Sequence, residues 1–227
     1  MSLIPEGGAA VPDFPSRMLF RPVVLCPRMP EGWAVDGDLR EWESLEPLPP
    51  LQELDGEQPF ARVWLAWSPA GLHVAEHCDK PVGPVTCNPW RPDSGDGLQV
   101  WVDTRATQDV HRATRFCHHF VLLPRGRGRD WGRAVAWQGP IRRARERAPI
   151  SRPEDIAVAA QLREGFYALE ALLPVHVLHG FEPRPGARLG FNFYVHDIPG
   201  GKQVWAAPRD LPFDTDPSLW ATVELVE

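Results

Sequence analysis

No stretch of this sequence approaches the roughly 18 uninterrupted apolar residues of a membrane-spanning helix. No glycine recurs at every third position, which excludes a collagen-like chain. Cysteine is scarce. Cys26, Cys78, Cys87 and Cys117 include no CxxC pair, and a chain of this length does not need disulfides, so free, buried thiols are expected. The three methionines, Met1, Met18 and Met29, all fall near the N-terminus, which argues against the Met/His ligation of a haem-binding sandwich. A nucleophile elbow, a phosphate-binding loop and a dinucleotide fingerprint are all missing, so no nucleotide cofactor is expected. Lysine occurs only at positions 80 and 202, the other basic residues being arginine, a bias we read as compositional. The opening Met1-Ser2-Leu3-Ile4-Pro5 has neither the basic nor the apolar region of a secretory leader. The sequence as it stands is therefore expected in the cytoplasm, and outside the cell or in the periplasm if a leader has been removed.

What is present is apolar material for a core, 43% of 227 residues, cut by 26 prolines and 19 glycines. Frequent punctuation with an intact core means many short elements joined by turns. Residues 1–32 read as an extended, Pro-rich arm carrying one strand-like run, Val23-Val24-Leu25. From residue 33 to 227 we expect one domain. Asp36-Gly37-Asp38 is a turn, and Leu39 and Trp42 are spaced as on one helical turn. After that, alternating segments dominate. Ala61–Trp67 and Leu72–His77, separated by Ser68-Pro69-Ala70-Gly71, form a hairpin. Further strands are expected at Leu98–Asp103, Phe116–Leu123, Ala134–Gln138, Ile156–Leu162, Phe166–Leu173, Leu189–His196, Gln203–Ala206 and Thr222–Val226. Residues 124–152, with nine arginines, read as a long hairpin loop around the 134–138 strand. The fold class is all-β: an antiparallel two-sheet, jelly-roll-like sandwich with little helix.

Four features occur in order. They are Asp36-Gly37-Asp38-Leu39-Arg40-Glu41-Trp42; a tryptophan-bearing hairpin ending in Gly71-Leu72-His73-Val74-Ala75; Asn88-Pro89-Trp90 followed by Asp96-Gly97-Leu98-Gln99-Val100-Trp101-Val102-Asp103; and Gly190-Phe191-Asn192-Phe193 with Asp197, ending in Asp216-Pro217-Ser218-Leu219-Trp220. This order resembles the family 9 carbohydrate-binding modules, best known as C-terminal appendages of bacterial xylanases. The resemblance covers about residues 33–227. It implies a non-catalytic β-sandwich that binds sugar ends between two tryptophans and carries structural calcium. The first of these tryptophans corresponds to Trp90. A family glutamate corresponds to Gln99 and a family glutamine to Tyr194. At the second tryptophan this chain has Asp214, so Phe213 or Trp205 is the candidate second wall. Stacking on an aromatic face, with planar polar groups around the hydroxyl rim, is the chemistry that sugars require. Trp64 and Trp101, alternating with apolar residues on strands, read as core.

Oxygen ligands suited to calcium cluster at Asp36, Asp38 and Glu41, with turn formation and N-capping as the alternative for the two aspartates. Asp93, Asp96 and Asp103 bracket one strand. Cys117 and His119 share a strand face and His118 points the other way, so a shared transition-metal site is not expected. Three other functions compete. Glu170 and Asp103 would be candidate carboxylates for a glycosidase. The arginine-rich loop with Trp131 and Trp137 would suit nucleic acid, but the acidic chain has no recognisable motif for it. A sandwich that has lost its sugar site would serve as a protein-interaction module.

Overall fold

The computed structural model describes residues 16–80, 82–128 and 131–227; the first fifteen residues of the expected arm lie outside these. Eleven strands are present among the described residues: β1 (Val23–Cys26), β2 (Ala61–Ser68), β3 (Gly71–Lys80), β4 (Gly97–Asp103), β5 (Cys117–Arg127), β6 (Arg133–Gly139), β7 (Ala157–Arg163), β8 (Gly165–Pro174), β9 (Arg188–Asp197), β10 (Gly201–Val204) and β11 (Ala221–Leu225). They form two sheets. One has the order β1-β11-β9-β4-β5-β6, with β10 also paired to β9; the other has the order β2-β3-β8-β7. Only β1 runs parallel to its neighbour, β11. The helices are short 3-10 turns, and none is long and apolar enough to cross a membrane. The two-sheet antiparallel sandwich expected from the alternation is the observed architecture.

The alternation of β2, β4, β8 and β9 places Val63, Leu65, Trp67, Leu98, Val100, Val102, Leu169, Phe191, Phe193 and Val195 between the sheets. Both outer faces are covered as well. Trp42 and Trp64 pack outside the four-stranded sheet, and Trp101, Tyr194, Val204 and Trp220 pack outside the larger one. The four cysteines are free thiols. The loop expected over 124–152 is shorter than that. β5 continues to Arg127 and β6 starts at Arg133, with a register shift between Leu123 and Arg127. The shift accommodates Pro124, which has no N–H to give the ladder.

Two buried polar clusters hold the ends of this frame. In the first, Glu170 Oε1 accepts the backbone N–H groups of Asp36 and Gly37, both at 2.6 Å, while Oε2 accepts Trp42 Nε1–H at 3.1 Å. Glu170 is thus spent on the turn before Leu39–Ser44, the 3-10 helix that Asp38 caps. Gly37 has φ +88°, and a Cβ there would lie 2.7 Å from the Ala160 carbonyl carbon. In the second, Lys80 Nζ donates to Asp96 Oδ1 (2.8 Å) and Asp197 Oδ1 (2.5 Å), all three side chains being buried. Burial alone would lower the Lys80 pKa, but the two carboxylates outweigh it and hold the ammonium above its ordinary value. Glu76, also buried, accepts the Tyr167 hydroxyl at 2.8 Å. Burial, with Asp96 and Asp197 nearby, pushes its carboxyl up to about 8 against the opposing Tyr167 hydrogen bond.

Gly37→Ala should destabilise the protein by about 2–4 kcal/mol, because the left-handed φ and the backbone clash add; chemical denaturation measures this directly. Glu76 generates a pH signature. Its folded-state pKa is raised, so the folded protein holds a proton that the unfolded chain releases. Its effect is therefore a stability that falls as pH rises from about 4.5 to about 8 and then levels. Glu76→Gln keeps an acceptor for Tyr167 and should remove that decline. The difference in denaturation midpoint between variant and parent should widen steadily from pH 5 to pH 8.

Candidate functional site

A cleft of about 470 Å³ opens on the outer face of the larger sheet, where β4, β5, β9 and β10 lie side by side. Its volume is in the range of small-ligand clefts. Strand register builds its floor. Val204, Tyr194, Gln99 and Val121 face one another across four strands, and the next row holds Asn192, Trp101, His119 and Gly139. The Trp101 and His119 rings stack with centroids 4.6 Å apart and planes 7° from parallel. Gly139 gives the imidazole room, since a Cβ there would come within 3.0 Å of His119 Nδ1.

Polar groups are fixed on this floor. Burial pushes the His119 pKa down to about 4, so the ring is neutral at ordinary pH. His119 Nε2 lies 2.8 Å from Gln99 Oε1, and Gln99 Nε2 donates to Asp93 Oδ1 at 2.6 Å. The carboxylate dictates which end of the amide faces it, so Gln99 turns its oxygen to the imidazole and Nε2 carries the histidine proton. Phe213 meets Trp101 edge-on at 5.6 Å and leans over Tyr194 at 6.0 Å. Its segment is tied down by Trp220 Nε1–H donating to the Phe213 carbonyl at 2.7 Å. At the rim, Arg142 pairs with Asp214 at 2.7 Å, Lys202 Nζ lies 5.8 Å from the Tyr194 ring centre, and Arg209 completes the wall. Two buried polar atoms, Trp101 Nε1 and the Tyr194 hydroxyl, have no hydrogen-bond partner.

Of the residues singled out from sequence, Gln99, Tyr194 and Phe213 line this cleft. Trp90 does not. It is 77% exposed, on the loop that supplies Pro92 and Asp93 to the cleft, and packs against Trp131 with centroids 5.0 Å apart. Trp205 is not a wall. It is fully buried, stacked on Phe193 at 5.7 Å, with Nε1–H donating to the Pro49 carbonyl. The reason is alternation: Val204 faces outward beside Tyr194, so the residue after it turns inward. Trp101, expected in the core, is buried in the cluster outside the larger sheet and also forms part of the cleft lining. The signal was available, because Trp101 is two residues after Gln99 and must share its face. His119 was read only as structural. Arg142, Lys202 and Arg209 come from separate segments and carry no spacing signal.

Of the expected oxygen ligands Asp36, Asp38 and Glu41, the two aspartates are engaged by local donors. Asp38 Oδ1 accepts the Arg40 N–H and Oδ2 pairs with the Arg40 guanidinium at 2.8 Å, while Asp36 accepts the Asp38 N–H. Asp96 already holds Lys80, and Asp103 accepts the Arg105 and Thr107 N–H groups together with the Thr107 hydroxyl. Among the described residues no three acidic, histidine or cysteine side chains converge as metal ligands. The two candidate glycosidase carboxylates lie in different sheets, each consumed by local donors. Ser218, His111 and Asp216 do meet, but the serine hydroxyl (3.0 Å) and Asp216 Oδ2 (3.2 Å) address the same nitrogen, Nδ1. A nucleophilic triad needs one partner on each ring nitrogen. Asp216 instead caps the 3-10 turn Pro217–Leu219.

Known proteins give a likeness of fold. No family model matches the chain, and no curated protein matches it significantly. Two solved structures of family 9 carbohydrate binding modules from Caldicellulosiruptor kristjanssonii share the architecture. One, in complex with cellotriose, is 14% identical with a TM-score of 0.64, covering 90% of this chain and 94% of that one. The other, in complex with glucose, is 15% identical with a TM-score of 0.62, covering 88% and 94%. The sandwich that the sequence resembles is therefore the sandwich it forms.

Tyr194→Phe should leave the free protein as stable as the parent or up to about 1–2 kcal/mol more stable, since it deletes a buried hydroxyl that has no partner. Thermal melts without added ligand test this; a marked loss of stability would show that the hydroxyl is satisfied.

Proposed function

We propose that the chain is a non-catalytic carbohydrate-binding module and that the cleft on the larger sheet takes a sugar ring. One observation carries the reading: aromatic rings line the cleft beside polar groups whose positions are fixed. Phe213, backed by the nearly buried rings of Trp101 and Tyr194, offers an apolar surface to the C–H groups of a sugar, and the Gln99–Asp93 pair offers amide and carboxylate to its hydroxyls. The cellotriose and glucose complexes of the similar folds support the same class of ligand. No pair of free carboxylates faces across the cleft, because Asp93 is bonded to Gln99 and Asp214 to Arg142. Trp90 keeps the stacking role expected of it, but at the next position: exposed beside Trp131 on the loop flanking the cleft, it serves a second ring of an oligosaccharide. Affinity is expected between millimolar and micromolar, as suits a few exchanged hydrogen bonds and stacked rings.

Titration calorimetry with mono- and disaccharides on the parent, Phe213→Ala and Trp90→Ala separates these roles. Phe213→Ala should weaken every sugar about tenfold or more, while Trp90→Ala should weaken disaccharides and leave monosaccharides unchanged. Equal loss of both from Trp90→Ala would move the primary platform to Trp90. No saturable heat from the folded parent would turn the exposed Trp90–Trp131 pair into a surface for a protein partner.

A further inference from the structure

The charges around the cleft are lopsided. Its lining carries three cations, Arg142, Lys202 and Arg209, against two carboxylates, Asp93 and Asp214; His119 is neutral. Asp214 is taken by Arg142, and Asp93 by Gln99. Among the described residues, neither Lys202 nor Arg209 has an acidic partner. The Lys202 ammonium rests over the Tyr194 ring at 5.8 Å, although the chain as a whole is acidic at −6.

The polar atoms left over point the same way. Trp101 Nε1–H can only donate, the neutral Tyr194 hydroxyl donates readily, and both are buried without a partner. The obvious acceptor of the floor, Gln99 Oε1, is already used by His119. On the accessible rim the unpaired cations Lys202 and Arg209 therefore stand against only the second oxygens of Asp93 and Asp214. A neutral sugar brings hydroxyls that both donate and accept and would leave these cations unpaired. A sugar bearing an anionic substituent brings acceptors and charge together.

We infer that the ligand of this cleft is an acidic sugar whose carboxylate or sulfate group lies against Lys202 and Arg209, above Trp101 and Tyr194. This rests on the sugar-binding reading above and names its substrate class. Lys202 and Arg209 set specificity: they meet the anionic group, and the ring is held by the aromatic walls.

The test is calorimetry of the full chain with glucose, glucuronic acid and glucose 6-sulfate, at low and at high salt. Glucuronic acid or the sulfate should bind at least tenfold more tightly than glucose, and the advantage should shrink as salt rises. The better of the two assigns the group as carboxylate or sulfate. Lys202→Gln and Arg209→Gln should each erase most of that advantage, weakening the acids far more than glucose, and leave the melting temperature unchanged, as both are exposed rim residues. If glucose binds as tightly as the acids, or the two variants lose nothing, the inference is overturned while sugar binding stands. If the folded protein binds none of the three, both readings fall together.

Discussion

The buried ammonium of Lys80 fixes the geometry on which the cleft depends. Lys80 ends β3 in the smaller sheet, and its two carboxylate partners belong to the larger one: Asp96 just before β4 and Asp197 at the end of β9. The triad therefore spans the sandwich. Each aspartate also organises the backbone beyond it. Asp96 accepts the Thr86 and Ile198 N–H groups, and Asp197 accepts that of Gly200. The first of these bonds sets the loop that delivers Pro92 and Asp93 to the cleft. The others set the turn that delivers β10 with Lys202 and Val204. Stripping one partner from such a buried ion pair typically costs about 3–5 kcal/mol. One lysine thus supports both a sheet-to-sheet joint and two walls of the site.

Burial, with Asp96 and Asp197 of the same triad adding to it, raises the pKa of Glu76, and such consequences are unevenly visible in the sequence. Alternating apolar residues made the strands legible, because each strand buries one face against the other sheet. Alternation does not say which face is inward when both are covered. On the larger sheet the outer face is roofed by loops, so Trp101 and Trp205 look alike in sequence and end on opposite sides. Only the pairing of Val204 with Tyr194, and of Gln99 with both Tyr194 and Val121, resolves the two. Register is a property of the folded sheet: alternation ties Trp101 to the face of Gln99, but only the pairing says which way that face turns.

The site shows the same division. Gln99, Tyr194 and Phe213 were legible because their motifs occur in a recognisable order. His119 reaches the site through cross-strand pairing with Trp101. Arg142 and Arg209 arrive on loops, with Arg142 held in place by a carboxylate 72 residues away in sequence. The acidic residues read as calcium ligands carry a related ambiguity. A cluster of acids in sequence is equally the composition of caps, turns and ion pairs, and here Asp38 caps a helix while Asp96 already binds an ammonium. The arginine-rich segment likewise resolves into exposed pairs such as Arg127–Glu154 and Arg152–Asp155, each worth little on its own.

Gln99 explains why the cleft is wired as it is. Its side chain stands between a desolvated imidazole and a carboxylate. A glutamate at this position, as in the family the sequence resembles, would accept from His119 equally well. It would also face Asp93 at hydrogen-bond distance, and two carboxylates so placed cannot both remain ionised. One would take a proton, or Asp93 would swing away and open the cleft wall. An amide satisfies both neighbours at once: its oxygen accepts from the neutral histidine and its nitrogen donates to the acid. That economy uses up the one amide acceptor on the floor. Once histidine, amide and carboxylate are locked to one another, Gln99 Oε1 is no longer free to accept from anything else in the cleft.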